Sequence, residues 1–331
     1  EANKKIYKKI IGLFLIVYIG TMFLINILIP DKDFSDMENR RLESKPEFSV
    51  EKLFRGKYTS NFEKYISDQF PFRDFFIGVK SDCERLRGKK ENNDVYLCTG
   101  GYLMEKFNES NDEDFKKKID AVNSFAVSNP QINKYFMLVP NSVKVMEEKL
   151  PKYAPVDNEL DFMDKVKNSV DNSINFVDVY EILSNNKNQY IYYKTDHHWT
   201  TKGAYYAYRE LSKYMDFEPY SEEDFDIKKV SNDFYGSLYS KGGFRKLAPD
   251  SIQLYIPKTD NRYKVKYYDE GETTESLYNL DNLNKKDKYT VFLNGNHPLL
   301  KISTNVNNKK NLLVLKDSYA NSFIPFLAEH F

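Results

Sequence analysis

The chain has 331 residues, enough for one large domain or two small ones and for a substantial buried core. Hydrophobic residues make up 41% and charged residues 30%, which fits neither a disordered chain nor a polytopic membrane protein. Lys+Arg and Asp+Glu both number 49, so no global positive field draws nucleic acid, and no nucleic-acid partner is expected.

Residues Ile10 to Ile29 form an uncharged apolar run, and about 20 such residues span a bilayer as a helix. Lys4, Lys5, Lys8 and Lys9 precede it and Asp31, Asp33 and Asp36 follow, so the basic side should stay cytoplasmic and the remainder lie outside. Ile29-Pro30-Asp31-Lys32 stands where a cleavable signal would carry small residues, and the run reads as an uncleaved signal anchor. A buried core helix fits less well, because an all-round apolar helix with a basic start is rare in a small soluble domain. The chain begins with Glu1 rather than Met, so a preceding start is expected. The division predicted is residues 1–30 as cytoplasmic tip and anchor, 31–60 as a polar stalk broken by Pro46, and 61–331 as an α/β domain.

Phe62, Tyr65 and Ile66, then Phe75, Phe76 and Val79, recur at helical spacing on either side of Gln69-Phe70-Pro71-Phe72-Arg73. Cys83 and Cys98 are too few for a disulfide scaffold and lack zinc spacing; a pair and two free thiols both stay open. Asp112 can cap a helix carrying Phe115, Ile119, Val122 and Ala126, ended by Asn129-Pro130. A strand over Tyr135 to Val139, a helix over Leu160 to Val170 and a strand over Phe176 to Val179 follow, the alternation of a βαβ arrangement. Thr200 or Thr201 can cap a helix with Ala204, Tyr208, Leu211 and Met215 inward. Residues 217–288 break the rhythm and read as an insertion with hairpins, including Ile252 to Ile256 and Tyr263 to Tyr267. Tyr289 to Leu293 and Leu312 to Leu315 look like buried parallel strands.

Sites in open α/β sheets form at the carboxyl ends of strands, which directs attention to three turns. Ser318, in Lys316-Asp317-Ser318-Tyr319, sits between an apolar run and a helix carrying Phe323, Phe326 and Leu327. Its hydroxyl can stand above the sheet while N–H groups face an oxyanion. The plain alternative is that Asp317 or Ser318 is only an N-cap. Thr195-Asp196-His197-His198-Trp199-Thr200 holds half of the four histidines, a carboxylate and the one tryptophan. A serine needs a base and the base needs a carboxylate, roles that His198 and Asp196 can fill from one loop. A structural His-Asp pair is the blander reading. No metal is expected, because adjacent histidines rarely converge on one ion and no other His/Cys cluster completes a site. In Asn294-Gly295-Asn296-His297-Pro298, the Gly295 N–H and the Asn296 amide can serve an oxyanion, or the turn can be an ordinary Asn-Gly turn.

Asp196-His197-His198-Trp199 with the later Lys316-Asp317-Ser318 resembles the DHHW protein family, related to the SGNH-hydrolase-like domains of alginate O-acetyltransferases. The resemblance extends to Glu38-Asn39-Arg40-Arg41-Leu42, to Gly56-Lys57-Tyr58, to Asp68 through Arg73 and to Gly101-Tyr102-Leu103, hence over most of the chain. In those acetyltransferases Asp-x-His-Trp comes first and the serine last, which implies His198 as base, Asp196 as its partner and Ser318 as nucleophile, with His197 in the variable position. Lys316 departs from the glycine usual before Asp-Ser, and related proteins continue past Phe331 with what is expected to be a closing strand. The charged residues Glu38, Arg40 and Arg41 have structural reasons and no assigned chemistry. The implied fold is an SGNH-hydrolase-like, flavodoxin-like three-layer α/β sandwich with a mainly parallel sheet. The implied function is membrane-anchored, extracytoplasmic O-acetyl transfer to a cell-surface or secreted polysaccharide through an acyl-serine, without a cofactor. A membrane O-acyltransferase would then supply the acetyl group. A carbohydrate acetylesterase of the same fold and a non-catalytic glycan-binding scaffold are the alternatives. The 26 Tyr and 24 Phe are mostly core, with some available to stack on sugars.

Overall fold

The computed structural model describes residues 2–35 and 40–331, so Asp36, Glu38 and Asn39, named above, lie outside the described residues. The chain divides into two compact units, Glu1–Arg87 and Gly88–Phe331.

In the first unit, helix α1 (Ala2–Leu28) contains a 25-residue stretch, Lys4–Leu28, with an 18-residue window of mean hydropathy 2.4 and its apolar side chains exposed, long and apolar enough to cross a membrane. Strands β1 (Phe34–Ser35) and β2 (Arg40–Arg41) pair antiparallel, and helices α2 (Val50–Phe54), α3 (Lys57–Asp68) and α4 (Arg73–Leu86) follow. The stretch expected as a stalk is tied onto α3. Arg40 donates to both oxygens of Asp68 at 2.6 and 2.8 Å, and the Glu43 N–H adds a third bond at 2.9 Å. The Arg40 hydrogen bonds outweigh burial and hold the Asp68 carboxyl down at about 2. The Gln69 side chain accepts from the Lys32 N–H and donates to the carbonyls of Lys32 and Glu43 at 3.0 to 3.1 Å. Arg40 therefore acts structurally, as expected.

The second unit opens with an antiparallel sheet of β3 (Glu91–Asn92), β4 (Val95–Leu97) and β5 (Leu103–Glu105). Helix α5 (Asp112–Ser128) has Asn111 rather than Asp112 as its cap, its Oδ1 accepting from the Asp114 N–H at 2.9 Å. Strand β6 (Lys134–Met137) leads through α6 (Ser142–Val145) and α7 (Glu159–Ser169) to β7 (Ile174–Val177), which pairs with β6 in parallel, the βαβ unit the spacing foretold. Helices α8 (Tyr180–Asn185) and α9 (Thr201–Leu211) come next, then strand β8 (Phe225–Phe234), helix α10 (Ser237–Gly242) and strand β9 (Asp250–Pro257) antiparallel to β8. Strand β10 (Tyr263–Tyr267) stands between β11 (Thr273–Thr274) and β12 (Leu300–Thr304), and the short α11 (Ile324–Leu327) closes the order.

The expected mainly parallel sheet is corrected: among the described residues β6 and β7 are the one parallel pair, and the other sheets are small and antiparallel. Neither late apolar run is a strand. Lys288–Val291 is a 3₁₀ turn, and Leu293, Asn294 and Gly295 take left-handed φ of 54°, 57° and 91°, which ends any extended run. Burial of Val291, Phe292 and Leu293 explains their apolarity without a ladder, since a short buried run has the same pattern in either form. Leu312 to Leu315 have no strand partner among the described residues, and Leu313 and Leu315 stay 71% and 78% exposed.

The main core gathers Trp199, Tyr192, Tyr205, Tyr208, Phe225, Tyr255 and Phe326, so these aromatics are packing residues. A phenylalanine fully buried here contributes about 1.5–3 kcal/mol by transfer alone. Helix α9 can sit this close because Gly203 lacks a Cβ, which would lie 2.4 Å from the Ile191 carbonyl oxygen. The Thr200 hydroxyl caps the helix and donates to the Tyr190 carbonyl at 2.6 Å.

Candidate active site

The loop 190–200 is bound on several sides. Tyr192 and Trp199 form an antiparallel bridge, and the Thr200 N–H donates to the Ile191 carbonyl at 2.9 Å. Asp250, 2% exposed at the start of β9, accepts from the Lys194 N–H at 2.8 Å, the Thr195 N–H at 2.7 Å, the Thr195 hydroxyl at 2.5 Å and the Tyr190 hydroxyl. Burial raises its carboxyl and these donors oppose the shift. Nothing in the sequence singled Asp250 out.

On this base Asp196, 4% exposed, accepts through Oδ1 from the His198 N–H at 3.0 Å and meets His198 Nδ1 at 2.5 Å; Oδ2 accepts from the Ser237 N–H at 2.8 Å. Burial raises the Asp196 carboxyl, but the His198 charge and hydrogen bond, His197 and the Ser237 N–H together hold it well below its ordinary value. The close approach of α10 depends on Gly236, where a Cβ would stand 2.3 Å from Asp196 Cβ and Oδ2.

His198 turns its other nitrogen to Ser318: Nε2 and Oγ are 2.7 Å apart, across 120 residues of sequence. Asp196, His198 and Ser318 are thus brought into one chain of hydrogen bonds. Asp317 is the cap of the 3₁₀ turn Ser318–Ser322, accepting from the Tyr319 N–H at 2.9 Å, so the capping role falls to Asp317 and leaves the half-buried Ser318 hydroxyl to the imidazole. The Ser318 N–H has no protein acceptor among the described residues.

Three aromatics hold this arrangement, and the sequence pointed to only one of them. Trp199 Nε1 donates to the Tyr319 carbonyl at 2.9 Å and to Ser322 Oγ at 3.1 Å, joining the histidine loop to the serine turn. Tyr289, read as part of a strand, instead stacks on His198 with ring centres 3.9 Å apart, and its hydroxyl reaches the Ser318 carbonyl at 3.2 Å. The Tyr319 hydroxyl donates to the His197 carbonyl and to Asn141 Oδ1, 3.2 Å away.

The 294–298 turn divides the expected donors. The Gly295 N–H is engaged with the Phe292 carbonyl at 3.0 Å. Asn296 is exposed and its Oδ1 accepts from Lys316 Nζ at 3.0 Å and from Asn321 Nδ2 at 3.1 Å, while its own amide N–H groups have no protein acceptor among the described residues. Burial lowers the Lys316 ammonium from its ordinary value. His297 pairs with both Asp269 oxygens at 3.0 Å and packs at a tilt against Tyr267, ring centres 4.5 Å apart, away from the serine network.

The ligand atoms of Asp196, His197 and His198 lie within 4.8 Å of one another. They are committed to protein partners, however: both His198 nitrogens and both Asp196 oxygens as above, and His197 Nδ1 to Ser237 Oγ at 2.6 Å. The set suits proton movement between Ser318 and the imidazole better than an ion cage. Cys83 and Cys98 are both free, and burial pushes the Cys98 thiol up to about 12.

A DHHW family protein from Eubacterium siraeum has a similar fold, with a TM-score of 0.63 and 23% identity over 73% of this chain and 81% of that one. Bacillus cereus PatB1, in a structure with a sulfonyl adduct, gives 0.59 and 19% over 72% and 84%. The O-acetyltransferase domain of Pseudomonas putida AlgJ gives 0.40 and 18% over 49% and 64%. No curated protein matches the chain. The profile of the DHHW protein covers residues 95–331, which include the Asp196 loop and the Ser318 turn, and the chain belongs to that family.

Proposed function

We propose that the protein is a membrane-anchored, extracytoplasmic serine-dependent O-acetyltransferase of SGNH-like type that modifies a cell-surface or secreted polysaccharide. The observation that carries this reading is the 2.7 Å contact between His198 Nε2 and Ser318 Oγ, with Asp196 at 2.5 Å on the far side of the ring. In the proposed mechanism His198 takes the Ser318 proton as Oγ attacks an acyl carbonyl, while Asp196 fixes the tautomer and balances the imidazolium. The oxyanion is held by the Ser318 N–H with the Asn296 amide, the Gly295 N–H being engaged in its own turn. His198 then protonates the leaving group, and a sugar hydroxyl resolves the acyl-serine by the reverse transfer.

The apolar helix at the amino end is the proposed anchor, with lysines on the cytoplasmic side. Outside the cell there is no acetyl-CoA pool, so a membrane O-acyltransferase is the proposed donor. Resolution of the same acyl-serine by water would make the protein a carbohydrate acetylesterase, and added oligosaccharide diverting acetyl from water separates the two.

The test is the intact mass of the detergent-solubilised chain after exposure to an activated acetyl ester, beside Ser318→Ala and His198→Ala. Acetyl gain in the wild type alone supports the enzyme. Equal behaviour of wild type and Ser318→Ala rejects it in favour of a non-catalytic glycan-binding scaffold.

A further inference from the structure

A cavity of about 240 Å³ opens beside the serine network, its lining including Glu105, Phe107, Asn108, Asn141, His197 and Leu238. It adjoins the proposed chemistry through two residues. The His197 ring centre is 3.8 Å from that of His198, and the Tyr319 hydroxyl, one residue past Ser318, joins the His197 carbonyl to Asn141 Oδ1.

The polar groups of the cavity are held in place with capacity to spare. Asn141 Nδ2 donates to Glu159 Oε1 at 2.6 Å, which leaves one amide hydrogen and one carbonyl lone pair unused. His197 Nδ1 meets Ser237 Oγ, and Nε2 has no protein partner among the described residues. Burial lowers the His197 imidazole, so it is neutral near pH 7 and can donate or accept. The Glu105 carboxylate is fixed by Lys241 Nζ at 2.6 Å, and the exposed Asn108 amide completes the polar rim. Phe107, braced by Phe162 at 5.7 Å between ring centres, is the aromatic residue of the lining, and the buried Leu238 also lines the cavity.

A pyranose has this character: hydroxyl groups around the edge that both donate and accept, and a C–H face that lies on an aromatic ring. The volume is below the roughly 300–1,000 Å³ of sites for drug-sized ligands, which suits one sugar ring rather than a longer segment.

We propose that this cavity is the acceptor subsite and holds one pyranose unit of the glycan, placing a ring hydroxyl against the acyl carbonyl on Ser318. The inference rests on the acyl-serine reading above. The sugar oxygen forms the new ester bond as the acyl bond to Ser318 Oγ breaks. The sugar proton passes to His198 Nε2 and then to Ser318 Oγ, so the serine is regenerated and no further reagent is needed.

The experiment separates the two half-reactions in the solubilised full chain, with an activated acetyl ester as donor and a panel of neutral and N-acetylated oligosaccharides as acceptors. Asn108→Trp, which fills the rim, should acylate Ser318 within about twofold of wild type and hydrolyse the acyl group as before, while transfer to sugar falls at least about tenfold. Transfer equal to wild type overturns the subsite. Should that variant lose acylation as well, Glu105→Ala decides: a raised acceptor KM with normal acylation supports the proposal, and an unchanged KM overturns it. A wild type that forms acyl-serine but transfers to no sugar in the panel also rejects the subsite. No acyl-serine at all removes the underlying enzyme reading instead.

Discussion

Asp196 is a carboxylate buried to 4% exposure that stays ionised because three groups, His198 foremost, then His197 and the Ser237 N–H, favour its charge against the cost of burial. Asp196→Asn would keep the shape and turn an N–H toward His198 Nδ1, leaving the imidazole in the wrong tautomer to accept from Ser318. Acylation should fall by about 10⁴-fold with the melting temperature little changed, measured by single-turnover release of the ester's chromophore. Asn296→Ala removes the proposed oxyanion amide while the Ser318 N–H remains, and a loss of about 10²-fold is expected in the same assay. An Asn296→Ala rate equal to wild type would take that residue out of the mechanism. Lys316, in the position where glycine is usual before Asp-Ser, has a visible use here: its ammonium fixes the Asn296 amide oxygen.

At the scale of elements, what matters is how three segments distant in sequence are held together. Helix α10 approaches the histidine loop at Gly236, and Gly236→Ala would put a methyl group 2.3 Å from Asp196. Overpacking of this kind costs about 1–3 kcal/mol, and its direction here is against the carboxylate that orients His198. The expectation is a lowered melting temperature together with acylation reduced further than in a control such as Gly12→Ala, where a Cβ meets nothing within 4 Å. The Trp199 indole fixes the serine turn to the histidine loop. Trp199→Phe leaves the Tyr319 carbonyl without that donor, a loss of about 1–3 kcal/mol, and thermal unfolding should register it even in the Ser318→Ala background where no turnover exists.

For the whole molecule the pH dependence of stability has a named contributor in Glu159. It is 4% exposed, its Oε1 accepts from the Asn141 N–H and amide, and Oε2 has no partner among the described residues. Burial pushes its carboxyl up to about 6 from 4.5, so between those values the folded chain holds a proton that the unfolded chain has released. Stability from this group is therefore complete below pH 4.5 and lost as pH rises through about 6, a change on the order of 2 kcal/mol. His330, lowered to about 4 by burial, acts in the opposite direction over its own range, so the difference between wild type and Glu159→Gln is the quantity to measure. Glu159→Gln should gain on wild type as pH rises from 4.5 to 7; parallel curves would remove Glu159 as the cause.

The amino-acid sequence by itself determined the apolar helix, the βαβ unit of β6 and β7, the cap and inner face of α9, and three residues, Asp196, His198 and Ser318, whose types suited one chemistry. Those features are local: a run of apolar side chains, a period of 3.6, or a dipeptide of unusual composition is written in neighbouring residues. Tertiary structure alone decided that the three side chains meet, because a 2.7 Å contact across 120 residues depends on the packing of every element between. It also decided what periodicity cannot, that the apolar run at 289–293 is a 3₁₀ turn whose tyrosine covers His198, and that 312–315 has no strand beside it. The roles of Asp250, Gly236 and Asn141 at the site were silent in the sequence for the same reason. A carboxylate that accepts four loop donors, a glycine against a carboxylate and an amide on a cavity wall are all defined by what lies opposite them.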